Sequence, residues 1–256
     1  MAEAVRVVIG ASSGMGLDLA RRWAGQGPLL VADRAACDVD GATASMRCDV
    51  TNEGQVDAVA AAARQLGPLG ALVVAAGLGP PDGTGDQILS VNLRGSALLF
   101  DAFSDQVVGG SVVVGFASVA MFVASTDPAV LAVLDEPLSE DLPGRLRAVG
   151  LDVDDTVAAY SSSKRGVSRL CKRWANAWGR RGGRCVAIAP GLIDTPMGQR
   201  ELDRDGGSRE LRDTSALGRA GRPEEISSVI DFVCSPAASF LTGTTLVVDG
   251  GSGLEP

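Results

Sequence analysis

The chain has 256 residues, 46% of them hydrophobic, enough apolar surface for the core of one large α/β domain rather than two small ones. Its 23 basic and 31 acidic residues leave a net charge of -8, which opposes a phosphate backbone or an anionic surface, so neither nucleic acid nor a membrane is an expected partner. The five cysteines (Cys37, Cys48, Cys171, Cys185 and Cys234) are never two residues apart and no histidine accompanies them, so no zinc framework and no metal site are expected.

They read as small core residues in a reducing, cytoplasmic environment. Met1-Ala2-Glu3-Ala4 leads straight into an apolar strand, with no basic leader and no run of the ~18 apolar residues that a membrane span needs.

Residues 5–9 are a β-branched run, as in a strand buried on both faces, followed by glycines 10, 14 and 16 and then helical spacing over 17–23. Strand, glycine turn and helix make a phosphate-binding arrangement, because bare backbone N–H groups can approach a pyrophosphate at the positive helix end. A second strand over 28–32 ends in Asp33-Arg34. A carboxylate there accepts from a ribose 2′-hydroxyl and repels a 2′-phosphate, which favours NAD over NADP, while Arg34 beside it could accommodate a phosphate.

A third strand is expected over 46–50, with Asp49 in reach of an adenine. An alanine-rich helix over 56–66 closed by Gly67-Pro68 follows, then a strand over 71–75 ending at Ala76-Gly77. One helix over 86–103 carries Asn92 among apolar residues, where an amide is costly unless it is used; an exposed face is the plainer alternative. The next strand covers 111–115, with Ser118 just past it. Asp127-Pro128 reads as a helix start, with Val130, Leu131, Val133, Leu134 and Leu138 as an apolar stripe, and 139–150 is more broken.

Acids over 152–156 then open a long helix to Trp178-Gly179. It holds the only tyrosine, Tyr160, with Lys164 four residues on and so on the same face. With no histidine, proton transfer falls to Tyr, Lys, Cys or a carboxylate. A neighbouring cation that stabilised phenolate by about 4 kcal/mol would bring a phenol from about 10 to about 7. A strand over 184–189 ends in Pro190-Gly191, a polar stretch at about 195–220 reads as a mobile flap, a helix runs from Pro223 through Cys234, and a last strand covers 244–248.

With these motifs in order, Gly10-xxx-Gly14-x-Gly16, Asp49-Val50, Val91-Asn92, Tyr160-xxx-Lys164, Pro190-Gly191 with Thr195-Pro196, Gly221-Arg222-Pro223-Glu224-Glu225 and Val248-Asp249-Gly250-Gly251, the chain resembles the short-chain dehydrogenase/reductase family over nearly its whole length. Within it, Val73 to Pro80, Ala175-Asn176-Ala177-Trp178-Gly179 and Ser235-Pro236-Ala237-Ala238-Ser239 look most like the bacterial 3-alpha-hydroxysteroid dehydrogenase/carbonyl reductase branch.

The resemblance implies a single Rossmann-type, doubly wound parallel sheet with helices on both faces, forming one domain over 1–256. It implies Tyr160 as acid/base, Lys164 gripping the nicotinamide ribose and lowering the tyrosine pKa, Ser118 polarising the substrate carbonyl, and Asn92 holding a water that links Lys164 to solvent. Gly10, Ser12, Ser13, Gly14, Met15, Gly16, Asp33, Arg34, Asp49, Val50, Ala76, Gly77, Pro190, Gly191, Ile193 and Thr195 complete the cofactor set. Ser13, rather than a basic residue, before Gly14 again favours NAD.

Three departures stand out. Val74-Ala75 replace the usual asparagine pair before Ala-Gly. Gly115-Phe116-Ala117-Ser118 replaces consecutive serines, so ungapped counting would place Phe116 at the catalytic position, where a hydrocarbon ring cannot donate to an oxyanion; Ser118 is therefore chosen. The interval from Ser118 to Tyr160 is far longer than is usual in the family, which implies an inserted helical segment at about 120–156.

The expected activity is hydride transfer between NAD(H) and a secondary alcohol or ketone, with steroid-like or other bulky apolar substrates favoured, in a homodimer or homotetramer. A ketoreductase on carrier-bound acyl chains and a non-catalytic nicotinamide-sensing protein are the alternatives.

Overall fold

Short apolar runs set the architecture of the computed structural model, which describes residues 3–204 and 206–252. Met1 and Ala2 of the expected leaderless start, Asp205 of the expected flap, and residues 253–256 of the expected domain lie outside these. Seven strands, β1 (Val5–Ile9), β2 (Leu29–Asp33), β3 (Ala44–Arg47), β4 (Leu69–Val74), β5 (Val112–Phe116), β6 (Arg184–Pro190) and β7 (Thr245–Val248), form one parallel sheet in the order β3-β2-β1-β4-β5-β6-β7. Parallel strands covered by helices are apolar on both sides, which is why β1, β2, β4 and β5 read as continuous runs rather than alternating ones.

The chain leaves β1 towards β3 and returns to β4 on the other side of β1. That reversal opens a crevice beyond the carboxyl ends of β1 and β4.

Helices α1 (Gly14–Trp23) and α10 (Pro223–Cys234) cover one face of the sheet. Helices α2 (Glu53–Leu66), α4 (Gly95–Ala102) and α7 (Thr156–Gly179) cover the other. Fully buried Trp178 of α7 and Phe100 of α4 meet with 5.4 Å between ring centroids, their planes tilted by 55°. Fully burying one such side chain contributes about 1.5–3 kcal/mol, so this layer anchors the helix that carries Tyr160 and Lys164.

The single helix expected over 86–103 is interrupted. A short α3 (Gly85–Leu89), started by a Thr84–Gln87 capping box, passes into a π turn over Ser90–Arg94 and then into α4. The third strand ends earlier than expected, at Arg47, because Asp49 starts a turn: its Oδ1 accepts from Thr51 N at 2.9 Å and Thr51 Oγ1 at 2.7 Å.

The segment after β5 holds a 3-10 turn (Val119–Val123), α5 (Pro128–Leu134) and α6 (Leu142–Ala148). Val130, Val133, Leu134, Leu142 and Leu146 join the main core, whereas Leu138 lies past the end of α5 and is exposed, so the expected stripe stops one turn short. Ion pairs from Arg169 to Asp135 and from Arg147 to Asp86 and Asp154 clamp this segment to α7 and α3. The stretch expected as a flap folds into α8 (Pro196–Arg204) and α9 (Gly206–Thr214). Among the described residues no helix is long and apolar enough to cross a membrane.

Candidate active site

The crevice begins at the turn from β1 to α1. Gly10 has φ +91°, in the left-handed region, and a Cβ there would sit 2.4 Å from the backbone N of Ala76; one on Gly16 would sit 2.1 Å from the carbonyl oxygen of Gly10. No side chain fits at either position. Ser13 precedes α1 without a side-chain capping bond, so the first-turn N–H groups of Gly14, Met15 and Gly16 face the loop with their partial positive charge unanswered by a cap. A bare cradle at a helix N-terminus fits a dinucleotide pyrophosphate.

Asp33, at the end of β2, accepts from Ser12 N at 3.1 Å and from Ala35 N at 2.9 Å, which holds its carboxylate at the rim of the cradle beside exposed Arg34. The Asp49 carboxyl is held low, mainly by the Thr51 hydroxyl and N–H, and in smaller part by the charge of Arg34. Val50 is buried against Gly95, where a Cβ would stand 2.6 Å from Val50 Cγ2, so its side chain serves packing. Met15, Gly77, Pro190, Gly191, Ile193 and Thr195 line a cleft of about 590 Å³ together with Tyr160, Lys164 and Ser118.

Tyr160 and Lys164 lie one turn apart on α7, opened by the Asp155 cap on Val157 N at 2.9 Å, with the Lys164 ammonium 5.6 Å from the phenol ring centroid. Lys164 is 7% exposed and donates to the carbonyl of Phe116 at 3.0 Å. Phe116 thus contributes its backbone, while its side chain packs in the core and at the cleft wall. Ser118, at the start of the 3-10 turn, accepts from Ala120 N at 3.2 Å and lines the cleft beside the Tyr160 phenol.

Asn92 is 1% exposed, which removes the exposed-face alternative. Its Oδ1 accepts from Leu78 N at 2.7 Å, and its Nδ2 donates to Leu78 O at 3.0 Å and Ser163 Oγ at 3.1 Å. What the structure shows of this residue is a brace between the π turn, α7 and the loop after β4. A Cβ on Gly77 would lie 3.1 Å from Asn92 Oδ1 and 3.5 Å from Lys164 Nζ, so the loop must be bare to pass between them.

The expected lowering of the Tyr160 pKa is not what this arrangement produces. Burial first, then the carboxylates of Glu201 and Asp82, push the phenol well above 10, and the neighbouring Ser118 hydroxyl only partly opposes them. Lys164 is itself drawn down to about 8 by burial, with Glu201 acting the other way, so the cation that should favour phenolate is weakened by the same enclosure.

Sequence reasoning passed over Glu201, Asp82 and Arg204. Glu201 and Arg204 belong to α8 and reach the cleft with Met197 from one face of that helix. The spacing 197, 201, 204 was a readable signal in a stretch taken for a flap.

Residues 4–130 match the family model described as short chain dehydrogenase, and residues 148–253 the one described as enoyl-(acyl carrier protein) reductase. Galactitol 2-dehydrogenase (L-tagatose-forming) of Cereibacter sphaeroides is 30% identical over 97% of this chain and 94% of its own length. The 3-alpha-hydroxysteroid dehydrogenase/carbonyl reductase of Comamonas testosteroni is 33% identical over 78% of this chain and 79% of its own. Among solved structures, the 3-alpha-hydroxysteroid dehydrogenase from Pseudomonas sp. B-0831 complexed with NADH superposes with a TM-score of 0.78 at 28% identity, covering 97% of this chain and 96% of that one.

Proposed function

The chain belongs to the short-chain dehydrogenase/reductase family, and on that premise we propose that Tyr160, Lys164, Ser118 and Asn92 serve reversible hydride transfer between NAD(H) and a secondary alcohol or ketone. The observation that carries this reading is the Tyr160 phenol beside Ser118 in a cleft continuous with the glycine cradle, with a buried lysine one turn away. A nicotinamide dinucleotide bound in that cradle supplies or accepts the hydride.

In the reducing direction Tyr160 gives its proton to the carbonyl oxygen, and the Ser118 hydroxyl donates to the same oxygen as its charge develops. The Lys164 ammonium favours the phenolate left behind. Its bond to the Phe116 carbonyl and the Asn92 brace on Leu78 keep the pair in register with the cleft floor. The raised pKa keeps the phenol in its protonated form at neutral pH.

Asp33 at the ribose position supports NAD over NADP. A lining in which Phe116, Phe122, Val123, Val157, Met197 and Leu211 are prominent supports a bulky apolar substrate. Exposed Phe240 beside the edge strand β7 supports a homo-oligomer, readable by light scattering, and α8, with Gly198 as its one buried residue among those described, supports a movable flap. A reducing cytoplasm suits five free thiols.

Purified protein with NADH and a panel of steroid and alicyclic ketones, followed by the absorbance of the reduced nicotinamide, tests the reading. Tyr160→Phe is expected to lower turnover by about 10²–10⁴ while NAD affinity stays within a few-fold. Tight NAD binding with no turnover across the panel would make this a nicotinamide-binding protein instead.

A further inference from the structure

Two neighbouring cations of α7 grip the chain on either side of Ser118. Lys164 donates to the carbonyl of Phe116 at 3.0 Å, just before the serine, and Arg165 donates through Nη2 to the carbonyl of Ala124 at 3.3 Å, at the end of the turn that the serine starts. Phe116 is already fixed at the end of a buried strand, so the Arg165 bond is the one that acts beyond Ser118.

That turn has little else to hold it. None of Val119–Val123 is buried, Phe122 and Val123 are exposed, and Met121 packs against the core from a half-buried position. Ala124, the first buried residue after it, brings only a methyl group. Within the turn Ala120 N donates to Ser118 Oγ at 3.2 Å, Met121 N to Ser118 O at 3.0 Å and Ala124 N to Met121 O at 3.4 Å. These bonds form one series from the serine to Ala124, so a hold on Ala124 is a hold on the Ser118 hydroxyl.

Arg165 gains the fold little. Burial and the like charge of Arg169 draw its pKa down, and its Nε is buried with no partner among the described residues. Its hydrogen bond goes to the Ser118 turn.

We infer that Arg165 is a positioning residue: by tethering the turn at Ala124 to the helix that carries Tyr160, it holds the Ser118 hydroxyl beside the phenol, in the place from which it donates to the substrate oxygen. This rests on the proposed dehydrogenase reading, in which Ser118 meets the developing charge. Without the tether the hydroxyl is still present but no longer aimed, and the loss is one of orientation.

The test compares Arg165→Met, which keeps most of the bulk and removes the donors, with Ser118→Ala and the double variant, using NADH and the alicyclic ketone that wild type reduces fastest. Arg165→Met is expected to lower kcat by about tenfold with NADH affinity within about twofold. Its melting midpoint should not fall, because a desolvated cation with an unpaired donor is removed; a residue that served only the fold would lower the midpoint together with kcat. In the Ser118→Ala background the same change should cost less than about twofold, since no hydroxyl is left to aim. A kcat for Arg165→Met within about twofold of wild type, losses that multiply in the double variant, or a midpoint that falls with kcat overturns the inference.

Hydrogen exchange at the Met121 and Ala124 amides reads the tether without turnover. Arg165→Met should speed both by about tenfold or more while the paired amides of β5 keep their rates. Faster exchange with no ketone reduced by wild type keeps the tether and sinks the dehydrogenase reading. Efficient reduction with unchanged exchange does the reverse, and unchanged exchange with no reduction overturns both.

Discussion

Replacing Asn92 by alanine is expected to cost the fold about 2–4 kcal/mol, whatever it does to chemistry. The side chain is 1% exposed and makes three hydrogen bonds: from Leu78 N at 2.7 Å, to Leu78 O at 3.0 Å and to Ser163 Oγ at 3.1 Å. Without it the part-buried Leu78 N–H loses its acceptor, a loss of about 1–3 kcal/mol. The Leu78 carbonyl loses a donor and the vacated space adds a cavity term of about 1 kcal/mol. Ser163 loses least, since its hydroxyl still donates to Tyr160 O at 2.7 Å.

In a chain of this size each kcal/mol moves the midpoint by about 2–4 °C, so a fall of roughly 5–15 °C is expected. Asn92→Asp should be no milder: it still accepts from Leu78 N but turns a carboxylate oxygen towards Leu78 O, where the donating Nδ2 was. Urea unfolding, followed by the fluorescence of buried Trp178, reads the loss as a shift in midpoint at constant slope. Because Gly77, next to Leu78, lines the cleft, NAD affinity should weaken in parallel. An Asn92→Ala protein within about 0.5 kcal/mol of wild type would refute the brace, since that is less than one hydrogen bond contributes. If it were also inactive, the water-holding role that the family resemblance implies would stand in its place.

Ser118→Ala is expected to lower turnover by roughly 10²–10³ with little change in NAD binding, because one donor to the developing oxyanion is lost; unimpaired turnover would move that role elsewhere. Asp33→Ala should narrow the preference for NAD over NADP, measured as the two dissociation constants, by removing both the ribose acceptor and the repulsion of a 2′-phosphate. Lys164 titrates at about 8 when folded and 10.5 when unfolded, so between these values the unfolded chain holds the extra proton and stability rises with pH, by up to about 3 kcal/mol. That gain is complete above 10.5, lost as pH falls through 8, and should be missing in Lys164→Met; the thiols of Cys48, Cys185 and Cys234, raised by burial when folded, act oppositely above about 9 and Tyr160 above about 10, so the difference between wild type and Lys164→Met in urea titrations from pH 8 to 10 isolates the lysine. In the same window kcat/KM for reduction should decline as the ammonium is lost, and Lys164→Arg, which keeps its charge, should flatten that limb.

Local chemistry in the chain determined a good deal of this protein. The i, i+4 spacing of Tyr160 and Lys164 is a property of one helix, and the apolar run over 5–9 announces a buried parallel strand because burial on both faces leaves no alternation. Gly10 and Gly16 are required by backbone atoms 2.4 and 2.1 Å away, a constraint strong enough to leave a motif.

What the tertiary structure alone decided depends on residues distant in sequence. The π turn at Ser90–Arg94 has no propensity signature of its own; it goes with the partners that the Asn92 amide finds on Leu78 and Ser163. Ser118 is distinguished from Phe116 by its place beside the phenol of Tyr160, 42 positions on in the chain, and Phe116 turns out to matter through a carbonyl that any residue would have provided. The direction of the Tyr160 shift reversed for the same reason. Spacing brings the lysine near, but burial and two carboxylates from other segments set the field, and burial is a sum over the whole fold that no local window contains. Glu201 belongs to the same class: its periodicity was on the page, but only the packing of α8 across the cleft turns that helical face into part of a site.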